Sequence, residues 1–242
     1  MTLLLAVETA TPRCSVALGN GVGVLASSSV DRDRRHVEAL VPAIAAACRS
    51  AGVPLADVEA LAVDVGPGLF TGMRVGIATA QGFALALGLP VHPVCSLDAL
   101  AHPLRHAARP VAAVVDARRG EVFRSLFRAG VELAGAACTT PAALAEELAA
   151  LGPSLAVGDG AVRYRAELEP AGAEVVAAMP SAETVLELAL AARAAGELGL
   201  DPADLEARYL RLPDARANFT VLRPRLVAPA AATLPAGPRG SG

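Results

Sequence analysis

The 242 residues carry 21 basic against 24 acidic side chains, a formal net charge of −3, with 3% aromatic residues and no tryptophan. That balance supplies neither the basic footprint nor the stacking platform of a nucleic-acid reader, so direct RNA binding by this chain alone is not expected. All 21 basic residues are arginines, which excludes the phosphate-gripping lysine of a Walker-type loop.

The length permits a sizeable core and divides most naturally into two domains. Cys14, Cys48, Cys95 and Cys138 are widely spaced, without a Cys-x-x-Cys pair. The first residues do not read as a secretory signal, so free thiols in a reducing cytoplasm are the expectation.

Residues 3–7, 14–18 and 22–29 read as three strands of a meander, with Asn20-Gly21 at a turn. Val37, Leu40, Val41, Ile44 and Cys48 then recur at helical spacing within residues 36–51. Residues 58–65 form a buried-strand pattern that runs straight into Gly66-Pro67-Gly68-Leu69-Phe70-Thr71-Gly72. The glycines suit a tight turn with outward N–H groups, and Thr71 is placed to cap a helix beginning near Gly72.

The helix over 71–87 carries Gly72, Gly76 and Ala80 four apart. Such a stripe admits a close backbone approach, either onto a sheet or against a partner helix. No charged residue occurs from Val75 to Leu97. Gly88-Leu89-Pro90 interrupts that run, and a helix of about 25 Å falls short of a hydrocarbon core of about 30 Å, so a buried helix followed by a strand is expected.

After Leu104 the plan restarts, with strands at 111–115, 121–127 and 131–133, a helix at 141–151 and a strand at 154–157. The repetition predicts an α/β fold of two ribonuclease-H-like domains, residues 1–106 and 107–225, facing each other across a cleft. A last helix over 181–196, with Ser181 as N-cap and Glu183 in its first turn, either stays with the second domain or packs back on the first. The Ala/Pro/Gly-rich residues 226–242 are expected to be disordered.

Six separated segments together resemble the TsaB family over most of residues 2–212. They are Ala6-Val7-Glu8-Thr9-Ala10-Thr11 with Cys14-Ser15-Val16-Ala17-Leu18, His36-Val37-Glu38-Ala39-Leu40 with Pro42, and residues 66–76. The others are Asp116-Ala117-Arg118-Arg119-Gly120-Glu121-Val122, Gly158-Asp159-Gly160-Ala161 and Tyr209-Leu210-Arg211. The resemblance implies the actin and sugar-kinase (ASKHA) fold and a cytoplasmic role in making threonylcarbamoyladenosine next to the anticodon of tRNAs. The family member is a non-catalytic subunit that binds and activates TsaD, its metal-containing paralogue, with a TsaE-type ATPase completing the set. It is not expected to bind tRNA itself, and no membrane association is implied.

The resemblance also implies an interface of two helices, formed by His36, Val37, Leu40, Val41 and Ile44 on the first and Gly72, Arg74, Val75, Gly76 and Thr79 on the second. The family uses this surface to pair with TsaD, or with a second copy when alone. Gly76→Glu is expected to break it by bulk and buried charge.

Laying the His-x-x-x-His metal pair of TsaD on this chain puts its positions at Ser96 and Leu100, and leucine cannot ligate a metal. His102 and His106 stand four apart near His92, but Pro103 interrupts them and no third ligand is evident, so they are expected to be surface histidines. His36 has no nucleophile to serve as base for, and is expected to be a capping or interface residue. Glu8 stands where family members commonly have Asp, and Thr9 and Thr11 are candidates for phosphate contacts. The turn Ala117-Arg118-Arg119-Gly120 puts two bulky arginines where small residues would let the backbone approach a phosphate. No metal, no cofactor and no catalytic residue are therefore expected, and ATP or ADP at most weakly or at a shared interface. A metallopeptidase-like or small-molecule kinase-like enzyme of the same superfamily is the alternative.

Overall fold

The computed structural model describes residues 2–31 and 36–211. Strands β1 (Leu4–Glu8), β2 (Arg13–Asn20) and β3 (Gly23–Asp31) lead into α1 (His36–Ala51), β4 (Ala60–Asp64), α2 (Phe70–Leu87), β5 (Val91–Val94) and α3 (Ser96–Ala101). The plan then recurs as β6 (Val111–Arg118), β7 (Glu121–Arg128), β8 (Val131–Thr139), α4 (Pro141–Leu151), β9 (Ser154–Val157), α5 (Asp159–Arg163), α6 (Arg165–Leu168) and β10 (Ala173–Val176), and α7 (Ala182–Ala194) follows.

Two five-stranded sheets result, ordered β3-β2-β1-β4-β5 and β10-β9-β6-β7-β8. In each, the first strand of the meander is central. β1 pairs antiparallel with β2 and parallel with β4, and β6 pairs antiparallel with β7 and parallel with β9. This is the duplicated α/β plan of the expected two-domain fold, visible because a meander and a helical crossover leave different hydrophobic periods in a sequence.

The period of two decides the layers. Along β1, Leu5 and Val7 face a core shared with α1 and α2, whereas Leu4 and Ala6 face α7 with Val185 and Leu186. Ala6, Ala17, Ala60 and Ala62 keep that second face low enough for α7 to lie against it. In the second sheet Val111, Ala113 and Val115 pack toward α3, and Ala112 and Val114 toward α4 and α6.

Local corrections are few. Strand β8 continues to Thr139, because the small residues of an edge strand such as Ala134, Gly135 and Ala136 carry no alternation to read. Thr71 does not cap α2: the N-cap is Leu69, which has no side-chain cap bond, and its own N–H donates to Ala10 O at 2.7 Å. Ser181 does cap α7, accepting from the Thr184 N–H. All four cysteines are free, and among the described residues no helix is long and apolar enough to cross a membrane. The tail expectation for residues 226–242 lies outside the described residues.

Candidate functional site

The carboxyl ends of β1 and β4 hold a buried polar centre. Glu8 is wholly buried; its Oε1 accepts from the Thr11 N–H at 3.1 Å and the Thr11 hydroxyl at 3.0 Å, and the Ser15 hydroxyl reaches Oε2 at 3.4 Å. Asp64, equally buried, accepts at Oδ1 from the Gly66 N–H at 2.8 Å and the Ser96 hydroxyl at 2.5 Å. Burial, then the neighbouring Asp64 charge, pushes the Glu8 carboxyl well above the usual range against the opposing bonds from Thr11 and Ser15. Burial likewise raises Asp64, to about 7, although Ser96 and the Gly66 N–H stabilise its charged form.

This geometry bears on the residues expected to contact phosphate. Glu8, Thr9 and Thr11 are all buried, the Thr9 hydroxyl donates to Gly72 O at 2.8 Å, and the Thr11 hydroxyl is engaged by Glu8. None presents a free hydroxyl to a phosphate. Ser96 is the anchor of the Asp64 turn, and Leu100 is a core residue. His102 Nε2 lies 3.2 Å from Glu187 Oε2, and burial, the largest effect, lowers the pKa of the imidazole. His92 is buried, and His106 is exposed as expected. Helix α3 ends at Ala101, so His102 and His106 do not share an α-helical face. Among the described residues no group of three or more His, Cys, Asp or Glu side chains is placed to hold a metal ion.

At the hairpin between β6 and β7, Arg118 and Arg119 take φ of 62° and 57°, the left-handed region that costs a non-glycine residue about 1 kcal/mol or more. Asp116 offsets this strain, accepting the Arg118 N–H at 2.9 Å and holding its guanidinium at 3.1 Å. Arg118 thereby reaches the wall of an open groove of roughly 640 Å³ shared with Pro12, His36, Phe70 and Thr71.

That groove borders the two candidate helices, where the structure sorts the expected interface residues by face. Leu40 and Ile44 are 1% and 2% exposed and belong to the core. His36 is also buried, its Nε2 2.9 Å from Thr11 O and 3.2 Å from Arg13 O, which ties the start of α1 to the loop after β1. Gly72 and Gly76 face inward as well. A Cβ on Gly72 would lie inside contact distance of Thr9 O, and one on Gly76 would overlap the Thr9 hydroxyl. The small-residue stripe therefore packs α2 on β1, and Gly76 is not a surface position.

What points outward is a second stripe. Val37 and Val41, 71% and 51% exposed, continue into Ala45 on α1. On α2, Arg74, Ala78, Gly82 and Leu85 are exposed, with Val75 and Thr79 half-buried beside them. At the end of this face the Arg74 guanidinium lies 3.8 Å above the Phe70 ring, and its Nε donates to the Tyr209 hydroxyl at 2.9 Å. Sequence reasoning named Val37, Val41, Arg74, Val75 and Thr79 but missed Phe70, Ala78, Gly82 and Tyr209. The apolar spacing of α1 carried a signal; Tyr209 stands 135 positions from Arg74 and carried none.

Comparison with known proteins bears on this architecture. A family model described as TsaD, tRNA N6-adenosine threonylcarbamoyltransferase, matches residues 24–168. An uncharacterized protein of Mycobacterium leprae is 33% identical over 228 residues, 89% of this chain and 56% of its own length. The tRNA threonylcarbamoyladenosine biosynthesis protein TsaB of Escherichia coli K12 is 41% identical over 122 residues, 50% of this chain and 52% of that protein. The matches thus span about half the length of these curated relatives. Among solved structures, YeaZ from Pseudomonas aeruginosa superimposes with a TM-score of 0.73 at 31% identity, covering 87% of this chain and all of that one.

Proposed function

The chain belongs to the TsaB family, and on that footing we propose that it takes part in making threonylcarbamoyladenosine in tRNA as a non-catalytic subunit. In this reading it binds a TsaD-type catalytic paralogue through the outer faces of α1 and α2 and activates it in the cytoplasm. A TsaE-type ATPase joins the wider complex, and the same face forms a homodimer when the chain is alone.

The observation that carries the reading is the outward exposure of Val37 and Val41 on α1 and of Ala78, Gly82 and Leu85 on α2, two helices that contact each other. Exposed apolar surface of this kind, rimmed by polar residues, marks interaction sites. Small residues on one helix let a partner helix approach closely. The non-catalytic assignment is supported by Ser96 and Leu100 being spent on structure, and by the internal engagement of Thr9 and Thr11. No nucleotide is assigned to the isolated chain.

The test combines the purified chain with its TsaD-type partner and a TsaE-type ATPase. Threonylcarbamoyl transfer to tRNA is measured for the mixture and for each protein alone, with complex formation followed by size-exclusion chromatography. Transfer only in the mixture, together with a defined complex that Val41→Asp abolishes, is the expected result. Transfer by this chain alone, or a complex indifferent to Val41→Asp, would overturn the proposal.

A further inference from the structure

We propose that Arg74, stacked on Phe70 and tethered by Tyr209, is a preorganised receptor for a single carboxylate on the TsaD-type partner. The inference rests on the reading of α1 and α2 as the partner-binding face and adds the chemistry that this face recognises.

Arg74 is exposed, yet it is held. Its guanidinium carbon is 3.8 Å from the Phe70 ring centre and 5.9 Å from that of Tyr209, and the two rings are 5.6 Å apart. Its Nε–H is used by the Tyr209 hydroxyl at 2.9 Å. Both terminal Nη groups are left over, and among the described residues no Asp or Glu pairs with Arg74. Elsewhere on the surface Arg109 pairs with Glu174, Arg165 with Glu169 and Arg211 with Glu121. Arg74 is thus a guanidinium whose orientation is already set and whose fork is open.

A fork with two parallel N–H groups matches a carboxylate edge-on, and stacking removes much of the side-chain entropy that such a contact would otherwise cost. The surroundings select the source of the anion. Val75 and Ala78 on the same helix and Val37 and Val41 on α1 give the face an apolar character, with Arg118 on the groove wall beside Phe70 and Val75, and such a face suits packing against a protein. A phosphate backbone is met instead by rows of cations on a basic chain, and this chain has a net charge of −3. An acidic side chain at the end of an otherwise apolar partner face is the complement. The pair fixes the register of the two helices along each other, as charges at an interface do.

The test is calorimetric titration of the full chain with its TsaD-type partner at low and at high salt. Wild type is compared with Arg74→Gln, Arg74→Lys, Tyr209→Phe and Val41→Asp, and thermal melts confirm that each variant folds. Arg74→Gln is expected to raise Kd about 10-fold or more at low salt and to shrink the difference between the two salt conditions. Lysine, a point charge that neither forks nor stacks as arginine does, is expected to recover only part of the loss. Tyr209→Phe, which removes the tether and keeps the ring, is expected to weaken binding about 3-fold.

Wild-type affinity in Arg74→Gln, or full rescue by lysine, would overturn the receptor. So would a variant that binds the partner normally while its complex loses affinity for tRNA, because the anion would then be a phosphate. If Val41→Asp abolishes association while Arg74→Gln is silent, the receptor falls and the interface stands. If Val41→Asp is also silent, both fall.

Discussion

Glu8 and Asp64 end two adjacent parallel strands, β1 and β4, where Val7 is paired with Val63, and both carboxyl groups are wholly removed from water. Burial raises both; the Asp64 charge further lifts Glu8, and Asp98 adds to the elevation of Asp64. Two ions in so dry a site would repel with little screening. Both shifts favour the protonated form of the centre over a doubly ionised one.

The pH dependence follows from the direction of these shifts. A carboxyl whose folded pKa is raised binds its proton more tightly when folded than unfolded. Its contribution to stability is therefore complete below the unfolded range near about 4 and drains away as pH rises through the folded value. For Asp64 the window closes at about 7. Asp64→Asn keeps an acceptor for Ser96 and the Gly66 N–H but carries no proton to lose. Relative to wild type, the variant is expected to gain thermal stability between pH 4.5 and about 7, by about 1 kcal/mol per pH unit at most, and to level off above that. Parallel melting curves for the two proteins would refute this.

Ser96→Ala removes the 2.5 Å donor to Asp64 Oδ1, and Oδ2 already lacks a hydrogen-bond partner among the described residues. An under-satisfied buried carboxyl costs about 1–3 kcal/mol, read as a lower midpoint in urea unfolding. The loss should be smaller at pH 5 than at pH 8, because the protonated acid depends less on that donor. Equal losses at both values would contradict the assigned role.

Gly76→Ala places a methyl group against the Thr9 hydroxyl at the base of α2. Overpacking of this kind costs about 1–3 kcal/mol. Combining it with Thr9→Ala, which vacates the space, should recover part of the loss, so that the double variant is more stable than the sum of the singles. Strict additivity in a denaturation-based double-mutant cycle would show that the two residues do not collide.

Gly82 is the outward counterpart. A Cβ there meets nothing within 4 Å. Gly82→Ala is expected to stabilise the chain by about 0.5–1 kcal/mol through helix propensity alone. Gly82→Arg should leave the melting temperature at or above that of wild type, for the same reason, and abolish association with the TsaD-type partner. Retained association would remove Gly82 from the interface.

The amphipathic period of α1, the Pro and Gly breaks and the two meanders were legible because they are local signals, repeating every two or 3.6 residues. The sequence by itself therefore determined the order of elements, their doubling into two sheets and the family resemblance. Which way α2 turns was decided only in the tertiary structure. Apart from Thr71, Arg74, Thr79 and Gln81 its residues are small or apolar, so the Gly72, Gly76, Ala80 stripe and the Ala78, Gly82 stripe are told apart in the sequence only by Arg74 one turn before Ala78. The first turned inward because Thr9 O and the Thr9 hydroxyl, just after β1, leave no room for a side chain there. Tertiary packing likewise buried Glu8, Thr9 and Thr11, whose residue types alone fit a phosphate site, and it brought Tyr209 across 135 positions to Arg74. Those outcomes depend on which atoms of distant strands and helices compete for the same space, and no period in a single chain encodes that competition.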